Sequence, residues 1–238
     1  MTATVAHPAA TVLLLRDGAT GVEVYVQRRP RRFGFAGGLW VYPGGRVDDA
    51  DRDAVLDRHW TGPPPRAWAR RMGVDVASAR GYVAAACRET LEEAGVLLAR
   101  PVPDPADLAA ARRDLLSGRR GLARVAADLG IRIDTSLLRY WAWWVTPEAE
   151  PRRFDTRFFV AHLPPDATVT PHAGEAVEET WAGAPVDDAM LPPTVHTLRE
   201  VVSHPSAAAV MEAGAVRRVA RVLPVIEDGR VVLPWDRP

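Results

Sequence analysis

Arg88-Glu89-Thr90-Leu91-Glu92-Glu93-Ala94-Gly95 is the stretch that decides how this chain is read. On a helix, residues three and four apart are neighbours, so Glu89, Glu92 and Glu93 share one face. Like charges that close repel and destabilise an isolated helix. A bound cation removes that penalty, and clustered carboxylate oxygens are the ligands Mg²⁺ or Mn²⁺ prefers. The competing reading is a solvated acidic face on which Arg88 pairs with Glu92 at i,i+4. Ala84-Ala85-Ala86 favours helix and Gly95 is a natural stop. Leu91 and Ala94 point away from the glutamates, which predicts one packing side and one acidic side.

Upstream, the apolar, strand-like Leu39-Trp40-Val41-Tyr42 runs into Pro43-Gly44-Gly45. A strand, a glycine turn and a carboxylate helix together resemble the signature of a Nudix hydrolase. That family's box runs from a glycine through a glutamate to Arg-Glu, an apolar residue, any residue, Glu-Glu, any residue, Gly and an apolar residue. Its second half stands here from Arg88 to Val96, with Thr90 where an aliphatic residue is usual. Its first half begins at Gly45, with Asp51 at the glutamate position. Arg52 to Cys87 then spans 36 residues where the box has seven, so about 29 are inserted. Loop closure costs grow only logarithmically with length, so a box split in this way can still assemble. Within the insertion, Asp53 to Arg58 and Pro65 to Met72 read as short helices, broken by Thr61-Gly62-Pro63-Pro64-Pro65. The split box, with the later Arg152-Arg153-Phe154-Asp155-Thr156-Arg157-Phe158-Phe159, is similar to a Nudix subgroup that includes peroxisomal coenzyme A diphosphatases. The resemblance covers roughly Ala10 to Leu198.

Composition bounds the alternatives. The 238 residues are 47% hydrophobic and 25% charged, ordinary for a globular enzyme with one sizeable core. The formal net charge is zero, so no broad field favours nucleic acid or an anionic membrane as partner. Every basic residue apart from histidine is arginine. Cys87 is the only cysteine, which excludes an intrachain disulfide and reads as a small packing residue. With no basic-then-apolar leader and no run of membrane-spanning length, the expected compartment is cytoplasmic.

Elsewhere, Ala10 to Leu15 and Val22 to Gln27 read as strands of a hairpin around Asp17-Gly18-Ala19-Thr20-Gly21. Ala106 to Leu129 suggests one or two helices without evident chemistry. Leu138 to Val145 and Phe154 to Leu163 read as strands joined by a polar turn, Thr194 to Ser203 and Ala207 to Val219 as helices, and Val231 to Leu233 as a terminal strand. Strands interleaved with helices predict an α/β/α sandwich with a mixed sheet. The expected organisation is a single Nudix domain over 1–238. It carries an insertion at about 52–80, a helical excursion at about 102–130 and a helical extension at about 193–238.

The resemblance implies a role for each site residue. Glu89, Glu92 and Glu93 supply metal ligands, Gly44 adds its carbonyl, and Arg88 orients the glutamates, with Mg²⁺ or Mn²⁺ as cofactor. A further carboxylate arrives from a later loop. Among Glu175, Glu178 and Glu179, the first stands six residues before Trp181 and best matches the family spacing, as ligand or as general base. Substrate phosphates are expected at Arg28 and Arg32, from the basic cluster ending before Phe33, and at Arg153 and Arg157, which strand alternation places on one face with Asp155. Trp141, Trp143 and Trp144 read as core, and the histidines as surface or core without ligand spacing. The expected activity is hydrolysis of the diphosphate in a small nucleoside diphosphate derivative, with coenzyme A or acyl-coenzyme A preferred over ADP-ribose, NADH or nucleotide sugars. The other class is a non-catalytic Nudix module that senses a nucleotide or binds a protein, and a homodimer is among the assemblies the family allows.

Overall fold

A computed structural model describes residues 4–34, 36–164, 167–186 and 189–236. Its strands β1 (His7–Asp17) and β2 (Val22–Arg28) form the expected antiparallel hairpin. In β1, Ala10, Val12 and Leu14 pack into one hydrophobic cluster while Leu13 and Leu15 pack into another. An almost unbroken apolar run is what a central strand needs when both its faces are covered. The next two strands are short: β3 (Trp40–Val41) pairs with β2, and β4 (Gly44–Arg46) folds back on β1, with Thr11 opposite Gly44 and Ala10 opposite Gly45. A Cβ on Gly44 would stand 2.5 Å from Thr11 Oγ1 and 2.6 Å from the Ala10 carbonyl, so only glycine lets these backbones approach.

Where helix was expected at Asp53 to Arg58, two 3₁₀ segments run over Asp49–Arg52 and Ala54–His59. They lead to β5 (Trp60–Thr61), α1 (Pro65–Met72) and the long α2 (Val76–Ala94). Asp75 caps α2 by accepting from the Ser78 amide at 2.8 Å, and Gly95 ends it in the left-handed region at φ 70°. Then come β6 (Ala99–Arg100), α3 (Pro105–Leu116), α4 (Leu122–Asp128) and β7 (Arg132–Asp134). A small second sheet in the order β5-β7-β6 ties the insertion to the residues flanking the excursion. Strands of two and three residues are too short to show a period, so sequence alternation gave no sign of it.

The chain returns to the main sheet in β8 (Leu138–Val145) and β9 (Phe154–His162), joined antiparallel by the turn between them. β9 runs parallel to β1, from His7 opposite Phe154 to Leu15 opposite His162. β10 (Glu178–Ala182) pairs with β2. The extension comprises α5 (Pro192–Val202), α6 (Ala207–Val216), β11 (Arg221–Val222) and a hairpin of β12 (Val225–Glu227) and β13 (Arg230–Val232). Asp228 and Gly229 turn that hairpin with φ of 49° and 75°, the two positive angles that a tight type I′ turn requires.

The main sheet has the order β10-β2-β1-β9-β8-β11 and is mixed, since β1 with β9 and β8 with β11 are parallel. On one face Val12, Tyr25 and Phe159 pack with Leu91 of α2 and Leu115 and Val125 of α3 and α4. On the other, Leu13, Val24 and Trp141 pack with Leu198 of α5 and Val210 of α6. The result is the expected three-layer sandwich. Each such fully buried side chain contributes about 1.5–3 kcal/mol, so packing rather than propensity holds α2 in place despite its acidic end. Cys87 lies in this core and burial raises its thiol pKa, in keeping with a packing role. No described helix is long and apolar enough to cross a membrane.

Candidate active site

The acidic face of α2 is not a solvated one: Glu89, Glu92 and Glu93 are only 8%, 9% and 6% exposed. Arg88 threads among them. Its Nη1 donates to Glu89 Oε1 at 2.8 Å and to Glu92 Oε2 at 3.0 Å, while Nε and Nη2 fork onto Asp51 at 3.1 and 2.9 Å. Nη2 also donates to the Arg46 carbonyl at 2.8 Å. The i,i+4 pair that sequence alone offered as a bland alternative is thus one arm of a buried network. Asp51, the shortened acid of the box, lies behind Arg88 and also accepts the Asp48 amide at 2.9 Å.

Glu93 is held separately. Its Oε2 accepts the Gly44 amide at 3.1 Å and Gln27 Nε2 at 2.5 Å. Gln27 is fully buried, and its Oε1 has no hydrogen-bond partner among the described residues. Gly45 lies against Glu89, where an added Cβ would fall 2.2 Å from Oε1. The whole Glu89 carboxyl group lies within 2.9 Å of that position and Arg88 holds its Oε1, so Gly45→Ala is expected to destabilise the protein by about 1–3 kcal/mol, the cost of overpacking a filled site. It should weaken Mn²⁺ binding about tenfold by displacing the carboxylate, as losses in the supporting shell of a metal site do. Titration of metal-free protein with Mn²⁺ by electron paramagnetic resonance checks this, and wild-type affinity would contradict it.

Burial pushes the Glu89 carboxyl up to about 7, although Arg88 beside it pulls the other way. Burial also raises Glu93 well above the usual range, helped by the charge of Glu89 and opposed by the Gly44 amide and Arg29. Among the described residues, no three acidic, histidine or cysteine groups converge as a finished metal cage, and Arg88 holds Glu89 and Glu92. The donor chemistry nevertheless fits a hard divalent cation: buried carboxylate oxygens with raised proton affinity, beside the two glycines of β4, whose missing side chains let backbone and carboxylate approach.

The segment 170–176 lies across the end of α2. The Thr170 and His172 amides donate to the Ala94 and Glu93 carbonyls at 2.8 and 3.1 Å. Glu175 is thereby brought near the cluster, 3.9 Å from Arg29 Nη1 and near enough that its charge also raises Glu93. Glu179 instead accepts from the Tyr25 hydroxyl at 2.8 Å, and Glu178 pairs with Arg28 at 3.4 Å. From Gly44, Gly45 and Arg29 a cavity of about 590 Å³ extends along the α5 side of the sheet. Tyr42, Trp144, Phe158, Leu191 and Pro192 line its body, with Pro224 and Val231 from the C-terminal extension.

The model of the NUDT19 Nudix domain matches residues 66–190, more than half of the chain. The chain belongs to the Nudix hydrolases, in the NUDT19 Nudix domain family. A solved Nudix hydrolase from Alicyclobacillus acidocaldarius is 30% identical and superposes with a TM-score of 0.70, covering 88% of this chain and 96% of that one. The human acyl-coenzyme A diphosphatase NUDT19 is 28% identical over 92% of this chain and 72% of its own length. The chicken protein of the same name is 27% identical, and there the match covers 71% of this chain and 56% of that protein.

Within this Nudix hydrolase the arginines distribute differently from the sequence expectation. Strand alternation does put Asp155 and Arg157 together, but on the α2 face of β9, whereas Phe154, Thr156 and Phe158 line the cavity. Arg157 is 2% exposed, donates to the Tyr140 hydroxyl at 2.8 Å and lies 3.7 Å over the Trp143 ring. Arg153 is 6% exposed and donates to the Thr146 carbonyl at 3.2 Å and to the Thr4 carbonyl at 2.6 Å. Both are held by partners within the fold and do not line the cavity, so the structure does not bring them together with Gly44, Gly45 and Arg29 as expected. Arg28 and Arg32 do not line the cavity either; they donate to the Gly38 and Gly174 carbonyls at 2.9 and 2.8 Å. Arg29, between them in sequence, does line the cavity, as Arg46 and Arg152 do, and its buried Nε has no hydrogen-bond partner among the described residues. Arg29 belongs to the basic cluster that stood out in the sequence, but Gln27 did not, because a strand end gives no cue as to which of three consecutive polar residues turns inward.

Proposed function

We propose that this Nudix hydrolase splits the diphosphate of coenzyme A or its acyl derivatives, with Mg²⁺ or Mn²⁺ as cofactor. The observation that carries this reading is the cavity: Gly44 and Gly45, which contact Glu93 and Glu89, form part of its wall, and most of the rest is apolar and aromatic. A ligand with its diphosphate at these glycines buries an apolar arm beyond them. At about 590 Å³ the space falls within the roughly 300–1,000 Å³ typical of pockets for ligands of this size. Similarity to the human acyl-coenzyme A diphosphatase supports the same class.

In this reading Glu89, Glu92, Glu93 and the Gly44 carbonyl hold the cation, within one Nudix domain elaborated at 52–80, 102–130 and 193–238. When bound, the cation acidifies the attacking water and offsets charge on the diphosphate. Arg88 keeps Glu89 and Glu92 oriented from behind, and Gln27 with the Gly44 amide does the same for Glu93. Glu175 accepts the proton of the water. Arg29 in the cavity wall meets phosphate oxygens, for which a guanidinium supplies several fixed donors.

The test is purified protein with Mg²⁺ or Mn²⁺ against coenzyme A, acetyl-coenzyme A, ADP-ribose, NADH and a nucleotide sugar, with products resolved by chromatography. Coenzyme A substrates are expected to be split at the diphosphate with the highest kcat/KM. A preference for ADP-ribose overturns the substrate class and leaves the chemistry standing. Nucleotide binding without hydrolysis of any of them favours the sensing module instead.

A further inference from the structure

Arg112 lies on α3, within the excursion in which the sequence showed no chemistry, yet its guanidinium reaches the end of the box helix. Nε donates to the Glu92 carbonyl at 2.9 Å, Nη2 to the Glu93 carbonyl at 3.2 Å and Nη1 to Thr170 Oγ1 at 3.1 Å. The last carbonyls of a helix lack partners inside it and carry the negative end of its dipole, so a cation there is doubly favourable. The last turn of α2 has no basic residue of its own, and Arg112 supplies one from outside. The joint is tight: a Cβ on Gly95 would lie 2.0 Å from Thr170 Oγ1 and 3.1 Å from Arg112 Nη1. From Thr170 the chain turns through His172, whose carbonyl accepts the Glu175 amide at 2.9 Å, and then joins β2 where the Val177 amide donates to the Arg28 carbonyl at 3.0 Å.

We propose that Arg112 is a positioning residue, which clamps the 170–176 segment to the end of α2 and thereby fixes Glu175 opposite Glu93. The inference rests on the reading of Glu175 as proton acceptor. It gives the helical excursion a task in turnover: α3 is the arm that carries the clamp. Arg112 meets Glu92 and Glu93 only at their backbone carbonyls, leaves their carboxylates alone and does not line the cavity, so the clamp acts on the chemical step more than on substrate binding.

The experiment measures kcat and KM on the fastest-cleaved member of the substrate panel for Arg112→Ala, Arg112→Lys and Glu175→Gln, and for Arg112→Ala combined with Glu175→Gln. Arg113→Ala, an exposed neighbour on the same helix, is the control. Arg112→Ala is expected to lower kcat about 10–100-fold with KM nearly unchanged, since misplacing a reacting group by an ångström costs on this order. Arg112→Lys restores part of the loss, and Arg113→Ala leaves wild-type rates. In the Glu175→Gln background the same change should cost less than about twofold, because residues acting through one another are not additive. Hydrogen exchange on metal-free Arg112→Ala should show faster exchange confined to 170–176. Wild-type kcat in Arg112→Ala, an equal loss in both backgrounds, or exchange loosened throughout α2 overturns the inference alone. Wild-type kcat in Glu175→Gln overturns it together with the reading of Glu175.

Discussion

Glu92→Gln and Glu93→Gln are each expected to lower kcat by about 10²–10³-fold while leaving the fold intact, on the scale of losing one fixed electrostatic group. The amide keeps the length of the side chain and the hydrogen-bond acceptor, so Glu93→Gln can still take the Gly44 amide, which now meets a carbonyl oxygen. What goes is the negative charge that would bind a cation. Because burial raises the carboxyls of both residues, replacing them with a neutral isostere removes a cost to folding, and unfolding midpoints should hold or rise in metal-free protein. Steady-state rates with Mg²⁺, beside urea unfolding of the same preparations, measure the two halves. Turnover at the wild-type rate in both variants would remove Glu92 and Glu93 from the metal site.

Arg88→Leu is expected to destabilise the protein by about 3–5 kcal/mol, the range for removing one partner from a buried ionic network. Leucine fills much of the volume but leaves Asp51, 2% exposed, with Glu89 and Glu92 as uncompensated buried acids, and the Arg46 carbonyl without its donor. A surface ion pair would contribute only about 0–1 kcal/mol, so the size of the change separates the network described from a solvated i,i+4 pair. Mg²⁺ should recover part of the loss, because a bound cation takes over neutralisation of Glu89 and Glu92. Urea denaturation with and without Mg²⁺ reads both effects; a loss below about 1 kcal/mol would mean that the carboxylates find other partners.

These effects follow from a part of the molecule that was largely legible beforehand. The box helix, its glycine stop, the first hairpin and the pair Leu138 to Val145 with Phe154 onward have long periodic patterns and clear turn residues, and they stand where those patterns place them. Strand parity was legible at Arg157, but which side of the sheet the cavity occupies was not. That depends on Tyr42, Leu191 and Val231, brought together from three distant stretches. The burial of the acidic face was hidden for a similar reason. Its cover is Gly44 and Gly45 of β4 and the 3₁₀ segment at Asp49–Arg52, and neither is adjacent to it in sequence. Arg112 looked like one more arginine in an Arg-rich helix, since a clamp on backbone carbonyls leaves no pattern in side-chain identity.

The Asp51–Arg88 ion pair has one more consequence. These two side chains stand at either end of the inserted stretch, so the fork between them closes the loop that the insertion opens. Asp51 thus acts as a latch: the guanidinium that shuts the loop on one side steadies Glu89 and Glu92 on the other.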